Sequence, residues 1–161
     1  PKVVQARIAK TRFLFEHPEE FSAILCSELL NLPDGTGVRL NTFSDIDWTQ
    51  SRWLFDTFRN LRFYDYTKDW NRSPLKNYHL TYSVSERTLE EEILDFQLMG
   101  RNTAIVFSTK PKEDLPKKFL GIKVIDGDKY DDRWLDPKGV IIGLRAKGKM
   151  RADVTGFKKE V

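Results

Sequence analysis

Apolar residues in this chain fall in short runs, and most runs end in a polar cluster rich in Asp, Ser, Thr or Lys. Val38–Thr42, Arg62–Tyr66, Tyr78–Val84, Thr103–Phe107, Ile122–Ile125 and Val140–Leu144 have the length and the β-branched or aromatic content of strands. Helical spacing lies between and before them. Phe21, Ile24, Leu25 and Leu29 recur at helical intervals after Pro18. His17 is placed to cap that helix, Glu19 and Glu20 suit the positive end of its dipole, and Leu32-Pro33-Asp34-Gly35 is its stop. A basic helix over Val3–Arg12 precedes it. Another is expected from about Gln50 to Arg59, with Trp53 or Leu54, Phe55 and Phe58 inward. Thr88 and Glu91 have the spacing of a capping box, opening a helix that buries Leu89, Ile93 and Phe96 and stops at Gly100. Residues 69–77 read as irregular around Pro74, and Pro111–Lys118 as a charged loop. The tail from Met150 is polar, with Phe157 its one large apolar residue.

Strand, polar tip, helix, strand is the rhythm of βαβ units and a parallel sheet. The runs at 104–107 and 140–144 are largely apolar, as expected of strands covered on both faces. Right-handed crossovers would bring the strands' carboxyl ends to one side. The predicted fold class is therefore α/β, with repeated βα units and a mainly parallel sheet forming a partial or complete (β/α) barrel. A single domain is expected over the 161 residues. Pro1 in place of Met, with helical sequence following at once, points to an upstream segment.

Composition narrows the classes. Apolar residues make up 40% and charged residues 32% of the chain, and eleven Phe, five Tyr and four Trp argue against a disordered protein. A net charge of +3, dispersed along the sequence, permits a nucleic-acid partner without requiring one. Cys26 stands alone, which excludes an intrachain disulfide and a thiolate metal cluster made by this chain by itself. Its apolar helical setting suits a buried, inert thiol. No apolar run is long enough to span a bilayer, and there is no signal peptide, so a cytoplasmic location is the default expectation. Walker, GxGxxG, GxSxG, HExxH and zinc-ligand patterns are absent from the sequence, leaving serine-hydrolase and metalloprotease chemistry without support.

The densest chemistry lies in Val124–Lys149, where Asp126, Asp128, Asp131, Asp132 and Asp136 are followed by Arg145, Lys147 and Lys149. Ligands of parallel α/β sheets bind outside the carboxyl ends of the strands. That rule gathers Asp45, Asp47, Lys68, Ser85, Glu86, Asp126, Asp128, Arg145, Lys147 and Lys149 as candidate site residues. Asp126 and Asp128, two apart, would face the same side of an extended chain, and Asp45 and Asp47 repeat the spacing. Paired carboxylates can hold magnesium or supply a general base. They can equally be turn formers, and Asp47 a helix cap. Lys68, Arg145, Lys147 and Lys149 can neutralise phosphate, with Ser85 and Glu86 beside them, or can simply be solvated. His79 reads as a hydrogen-bonded core histidine. Trp48, Trp70 and Trp134 can stack on bases or pack against loops.

These stretches also carry a resemblance. VQARIAKTRFLFE at 4–16, VRLNTFSDIDW at 38–48, FYDYTK at 63–68, NYHLTYSVSE at 77–86, NTAIVF at 102–107 and VIDGDKYDDRWLDPKGVIIGLRAKGK at 124–149 resemble a bacteriophage and plasmid protein family, distantly like the gene product 88 group. The resemblance spans essentially the whole chain and implies a phage or mobile-element origin. Longer members carry a cysteine-containing segment upstream of the position where this chain begins. In a barrel setting that arrangement looks similar to radical-SAM architecture, although this chain could not ligate an iron–sulfur cluster itself. The resemblance brings no catalytic residues with it.

The expected function is a phage enzyme acting on nucleic acid or nucleotides. Asp126 and Asp128, with Asp45 or Asp47, would hold magnesium or act as base, and Lys68, Arg145 and Lys147 would neutralise phosphate. The alternative is a non-enzymatic nucleic-acid-binding or host-interaction protein, whose contacts would come from Arg7, Lys10 and Arg12 and from Lys147, Lys149, Arg151, Lys158 and Lys159.

Overall fold

The computed structural model describes residues 2–110 and 113–160. The chain forms two compact units, one up to Thr36 and one from Gly37 onward.

The first unit is a helix pair, α1 (Lys2–Glu16) and α2 (Pro18–Leu30), joined through His17. Pro18, Glu19 and Glu20 occupy the first turn of α2, as the sequence pattern requires. His17 takes the N-cap position, but its side chain makes no capping bond. Its ring packs on Phe13 instead, which also meets Phe21. Leu29 is buried, whereas Val4, Ile8, Phe15 and Ile24 are exposed. Cys26 is half-buried rather than enclosed.

The second unit is built on seven strands: β1 (Gly37–Arg39), β2 (Arg62–Thr67), β3 (Tyr78–Ser83), β4 (Asn102–Phe107), β5 (Lys118–Phe119), β6 (Ile122–Asp126) and β7 (Ile141–Arg145). They form one sheet in the order β1-β2-β3-β4-β7-β6-β5. Every pairing is parallel except that of β5 with β6. The mainly parallel α/β architecture is therefore present, but the sheet is open and the expected barrel is not formed. A barrel needs each new strand to join on the same side of the last. Here β6 skips a place and β7 returns to fill it beside β4, so the direction of winding reverses. β5, a two-residue antiparallel edge strand, carries too few residues to show in the sequence pattern.

Helix α3 (Arg52–Thr57) connects β1 to β2, and α4 (Glu90–Leu98) connects β3 to β4. The helix expected over 50–59 is divided. Asp47 accepts from the Thr49 amide at 3.0 Å and opens a 3-10 turn over Trp48–Gln50, after which α3 starts anew. The capping box is also displaced by one residue. Glu92 accepts from the Leu89 amide at 2.7 Å, while the Thr88 hydroxyl accepts from the Ser85 amide. Leu89 is consequently exposed rather than buried.

Alternation along the strands separates the two faces. On the first face, Val84, Ile105, Phe107, Ile122 and Ile141 bury Ile93 of α4. Phe55 of α3 stacks on Tyr78 at 4.6 Å between ring centres. Trp70 fills the helix-free β2–β3 connection by packing on Phe96 at 4.2 Å. On the second face, Ala104, Val140 and Ile142 pack with Tyr66, Ile125 and Leu144. The connection from β6 to β7 crosses this face. Its Trp134 packs on Tyr64, 5.4 Å between ring centres, in the space left by Gly37. Asn102 ties its far end, donating to the Pro137 carbonyl and accepting from the Val140 amide. The tail adds one more parallel contact: Ser108 donates to the Lys159 carbonyl and Lys159 to that of Val106. It thus takes the place beside β4 that β3 leaves when it ends.

Gly143, in the middle of β7, lies under Val124 and Leu115, and a Cβ there would come within 2.7 Å of Val124 Cγ1 and 3.1 Å of Leu115 Cδ1. Gly143→Ala should therefore cost about 1–3 kcal/mol by overpacking, read as a lowered urea midpoint in an unfolding titration.

Candidate functional site

At the carboxyl edge, on the face crossed by the β6–β7 connection, the second unit holds a cavity of about 530 Å³. Its floor is Tyr66, Ala104, Val106 and Leu144; its wall is the backbone turn from Gly127 to Asp131; and Arg39, Lys129, Lys147 and Phe157 stand around it. It lies where the winding reverses, beside β4 and β7, where open α/β sheets leave a crevice between connections that run to opposite faces. Gly127 permits the tight wall, since a Cβ there would collide with Ile142 and come within 2.9 Å of Leu144. A second cavity of about 350 Å³ continues from it along the same edge, lined by Asn41–Asp45, Thr67 and Lys68. Arg39, Tyr66 and Ser83 line both.

Asp126, Asp128, Arg145 and Lys147 do come together, but mainly with one another. Arg145 makes a two-bonded fork with Asp126, Nη1 to Oδ1 at 2.9 Å and Nη2 to Oδ2 at 3.0 Å. Its Nη1 also reaches Asp128 Oδ2 at 3.1 Å, and Lys147 Nζ donates to Asp128 Oδ1 at 2.7 Å. Both carboxylates thus meet one guanidinium, although β6 ends at Asp126 and Asp128 lies in the turn that follows. Arg145's hydrogen bonds hold the Asp126 carboxyl below its ordinary range. Burial pushes Asp128 up, but its bonds from Lys147 and Arg145 outweigh that and leave it lowered as well. Both are thus anions at neutral pH, matched by two cations. Among the described residues no three His, Cys, Asp or Glu side chains converge as a cation site.

Asp45, Asp47 and Lys68 form a separate group around Arg72, which sequence reasoning missed. The Arg72 side chain is 9% exposed and lies 2.7 Å from Asp45, 3.3 Å from Asp69 and 3.8 Å from Asp47. Asp45 also accepts from the Lys68 amide at 2.7 Å, tying the β1 and β2 loops together. Burial raises Asp47, but its bonds from Thr49 and Gln50 hold it below the usual carboxylate range. The Lys68 ammonium sits 5.6 Å from the centre of the Phe157 ring, at the junction with the tail. Ser85 and Glu86 stay outside both cavities: Ser85 turns onto Thr88 and the Arg87 amide, and Glu86 lies beside Arg87. The side chain of Lys149 lies outside the described residues.

Two further buried charges escaped the sequence reading. Arg133 is wholly buried, 3.4 Å from Asp136, and donates to the Tyr130 carbonyl. It pins the β6–β7 connection behind the cavity wall. Asp65, in the centre of β2, has no exposed surface; it accepts from the Asn41 amide at 2.7 Å and from the Tyr78 hydroxyl at 2.8 Å. Burial pushes its carboxyl up to about 6, against the lowering effect of those bonds. The sequence signal was one acid at an inward position of an apolar strand. His79 is half-buried, with its Nε2 unbonded rather than hydrogen-bonded as expected, and burial lowers its pKa. Trp48, Trp70 and Trp134 all pack within the protein.

Fold and crevice define an open-sheet α/β protein with a cationic, partly aromatic cavity at its carboxyl edge. The chain belongs to the Gene product 88 family, a phage-type family whose profile matches residues 1–159. No curated protein and no solved structure matches it. Among the described residues no helix is long and apolar enough to cross a membrane.

Asp65 gives this site a pH signature. A carboxyl raised from 3.8 to about 6 favours the folded state while protonated. Its contribution is therefore present below about pH 4 and lost as pH rises through 6, a change of about 3 kcal/mol. Asp126 and Asp128, both lowered, act in the opposite sense and lose their contribution only as pH falls below the ordinary carboxylate range. Urea unfolding of wild type and Asp65→Asn at intervals from pH 4 to 7 should show wild type losing ground to the variant as pH rises. A pH-independent difference would remove Asp65 as its origin.

Proposed function

We propose that this chain binds a nucleotide or a nucleic-acid strand, with a phosphate received in the crevice at the carboxyl edge. The carrying observation is the cavity itself: Arg39, Lys129 and Lys147 surround an apolar and aromatic floor at the point where the winding of the sheet reverses. Cations offer a phosphate charge-assisted bonds, and Tyr66, Tyr130 and Phe157 offer a base something to stack on. Asp128 supports this role by holding the exposed Lys147 ammonium at the rim. On this reading Asp126 and Asp128 orient Arg145 and Lys147.

An enzymatic form of the same reading has one observation in its favour: Asp128 and Asp131 line the cavity together. There they would serve a magnesium ion or act as base, but Lys147 and the Arg145 fork would first have to release Asp128.

A labelled nucleoside triphosphate, titrated at 50 and 200 mM salt with and without magnesium, tests both forms. Binding should weaken with salt. Lys147→Ala, which truncates a side chain 69% exposed and so should spare the fold, should weaken binding about tenfold. Affinity insensitive to both salt and Lys147 would end the phosphate reading. A magnesium-dependent rise in melting temperature, lost in Asp128→Asn, would favour the enzymatic form; no rise would leave binding alone.

A further inference from the structure

We infer that the amino edge of the sheet carries a second ligand site, one that takes a small phosphate monoester. It is independent of the crevice at the carboxyl edge. A separate cavity of about 710 Å³ opens where β2 and β3 begin, and Arg59, Arg62, Lys76, His79 and Trp134 are among its lining residues. That volume is in the range of small-molecule sites.

The balance of charge in this cavity carries the inference. Asp56 is the acid that lines it, and Arg59 answers that acid, Nη2 to Oδ1 at 3.6 Å. Among the described residues, Arg62 and Lys76 have no carboxylate beside them. At the carboxyl edge, by contrast, Arg145 and Lys147 are taken by Asp126 and Asp128. Two unmatched positive charges suit a phosphate monoester, which carries about −1.5 to −2 near neutral pH. A carboxylate would match only one of them. Arg62 offers a planar fork fitted to phosphate oxygens, and Lys76 a point charge. His79 lines the same cavity, and the protein leaves its Nε2 unbonded.

The support of these groups is braced. Lys76 rides a tight turn in which the Leu75 amide donates to the Tyr78 carbonyl at 3.1 Å and the Tyr78 amide to that of Leu75 at 3.2 Å. Arg62 opens β2 opposite Gly37 of β1. Phe55 stacks on Tyr78 and meets Phe63 edge-on, 5.0 Å between ring centres, which makes a rigid floor. Trp134, held on Tyr64 and in the space beside Gly37, adds a flat wall for the body of the ester. The end of α3 has carbonyls that would repel an anion, but Asn77 donates to those of Phe55 and Phe58.

The test is an NMR titration of the full chain with phenyl phosphate, read at the backbone amides of residues 75–79 and at the Trp134 indole, which Trp134→Phe assigns. Inorganic phosphate lacks the body of the ester, and benzoate lacks its second charge. Phenyl phosphate should shift these signals saturably and bind about ten times tighter than benzoate, with inorganic phosphate weaker than the ester. Arg62→Ala and Lys76→Ala truncate exposed side chains and should each weaken binding about tenfold, with melting curves checking that the fold is kept. Lys147→Ala should leave the amino-edge shifts as they are, which separates this site from the crevice. Shifts confined to the carboxyl edge would overturn the inference. So would amino-edge affinity unaltered in both Arg62→Ala and Lys76→Ala, benzoate or inorganic phosphate binding as tightly as the ester, or no shift at all.

Discussion

The return of the chain from β6 to β7, placed beside β4 instead of beyond β6, is the constraint on which this structure depends. Up to that point each connection lies on the face held by α3, Trp70 and α4. Reversing the direction sends the next connection, residues 127–140, across the other face. That face would otherwise be an apolar sheet surface of Ala104, Ile142, Tyr64 and Tyr66 open to water. One return thus covers the sheet, raises the cavity wall and opens the crevice beside β4. The wall is costly to hold, because a connection without an α-helix leaves many backbone groups to satisfy. Arg133 and Asn102 answer that need by bonding the carbonyls of Tyr130 and Pro137. A lone buried guanidinium would be severely penalised, and Asp136 beside it offsets the charge.

Much of the sheet could be read before any coordinates. Five of the six expected strands lie within a residue of their apolar runs, because runs such as Asn102–Phe107 and Ile141–Arg145 are buried on both faces and leave a continuous signal; β1 ends at Arg39, three residues short of the expected Thr42. The order of the strands could not be read the same way. Nothing in an apolar run says whether the next strand joins outside the last or slips back inside it, and the barrel followed from assuming the first. Helix boundaries failed for local reasons. Asp47 captured Thr49 and Glu92 captured Leu89, bonds that compete with the neighbouring choices by fractions of a turn. The tail's pairing with β4 was illegible because it rests on backbone bonds of Lys159, which leave no mark on side-chain pattern.

The candidate site was half legible. Clustering of acids and bases at the ends of β6 and β7 was visible, but strand alternation does not pair Asp126 with Asp128, because β6 ends at Asp126 and Asp128 lies in the turn that follows. Their partner was not foreseen. Arg145 and the two aspartates are nineteen and seventeen residues apart, and parallel pairing of β6 with β7 brings them into register. The same holds for Arg72, which joins acids from two loops. Long-range ion pairs of this kind are properties of topology, so they become visible only once strand order is known.

These two arginines also explain how a chain of net charge +3 can present a cationic groove. The acids nearest the edge are many, and left alone they would repel a phosphate. Arg72 and Arg145, with side chains only 9% and 11% exposed, draw Asp45, Asp69, Asp126 and Asp128 toward themselves. Desolvated guanidinium forks suit that task better than lysine, since their planar donors match carboxylates geometrically. At the rim Lys147 completes the Asp128 pair, while Lys68 is exposed beside the Phe157 ring. Near-neutral overall charge limits indiscriminate attraction to any polyanion, and with Asp45 and Asp128 paired, the charges left lining the edge are Arg39, Lys68 and Lys129 against Asp131.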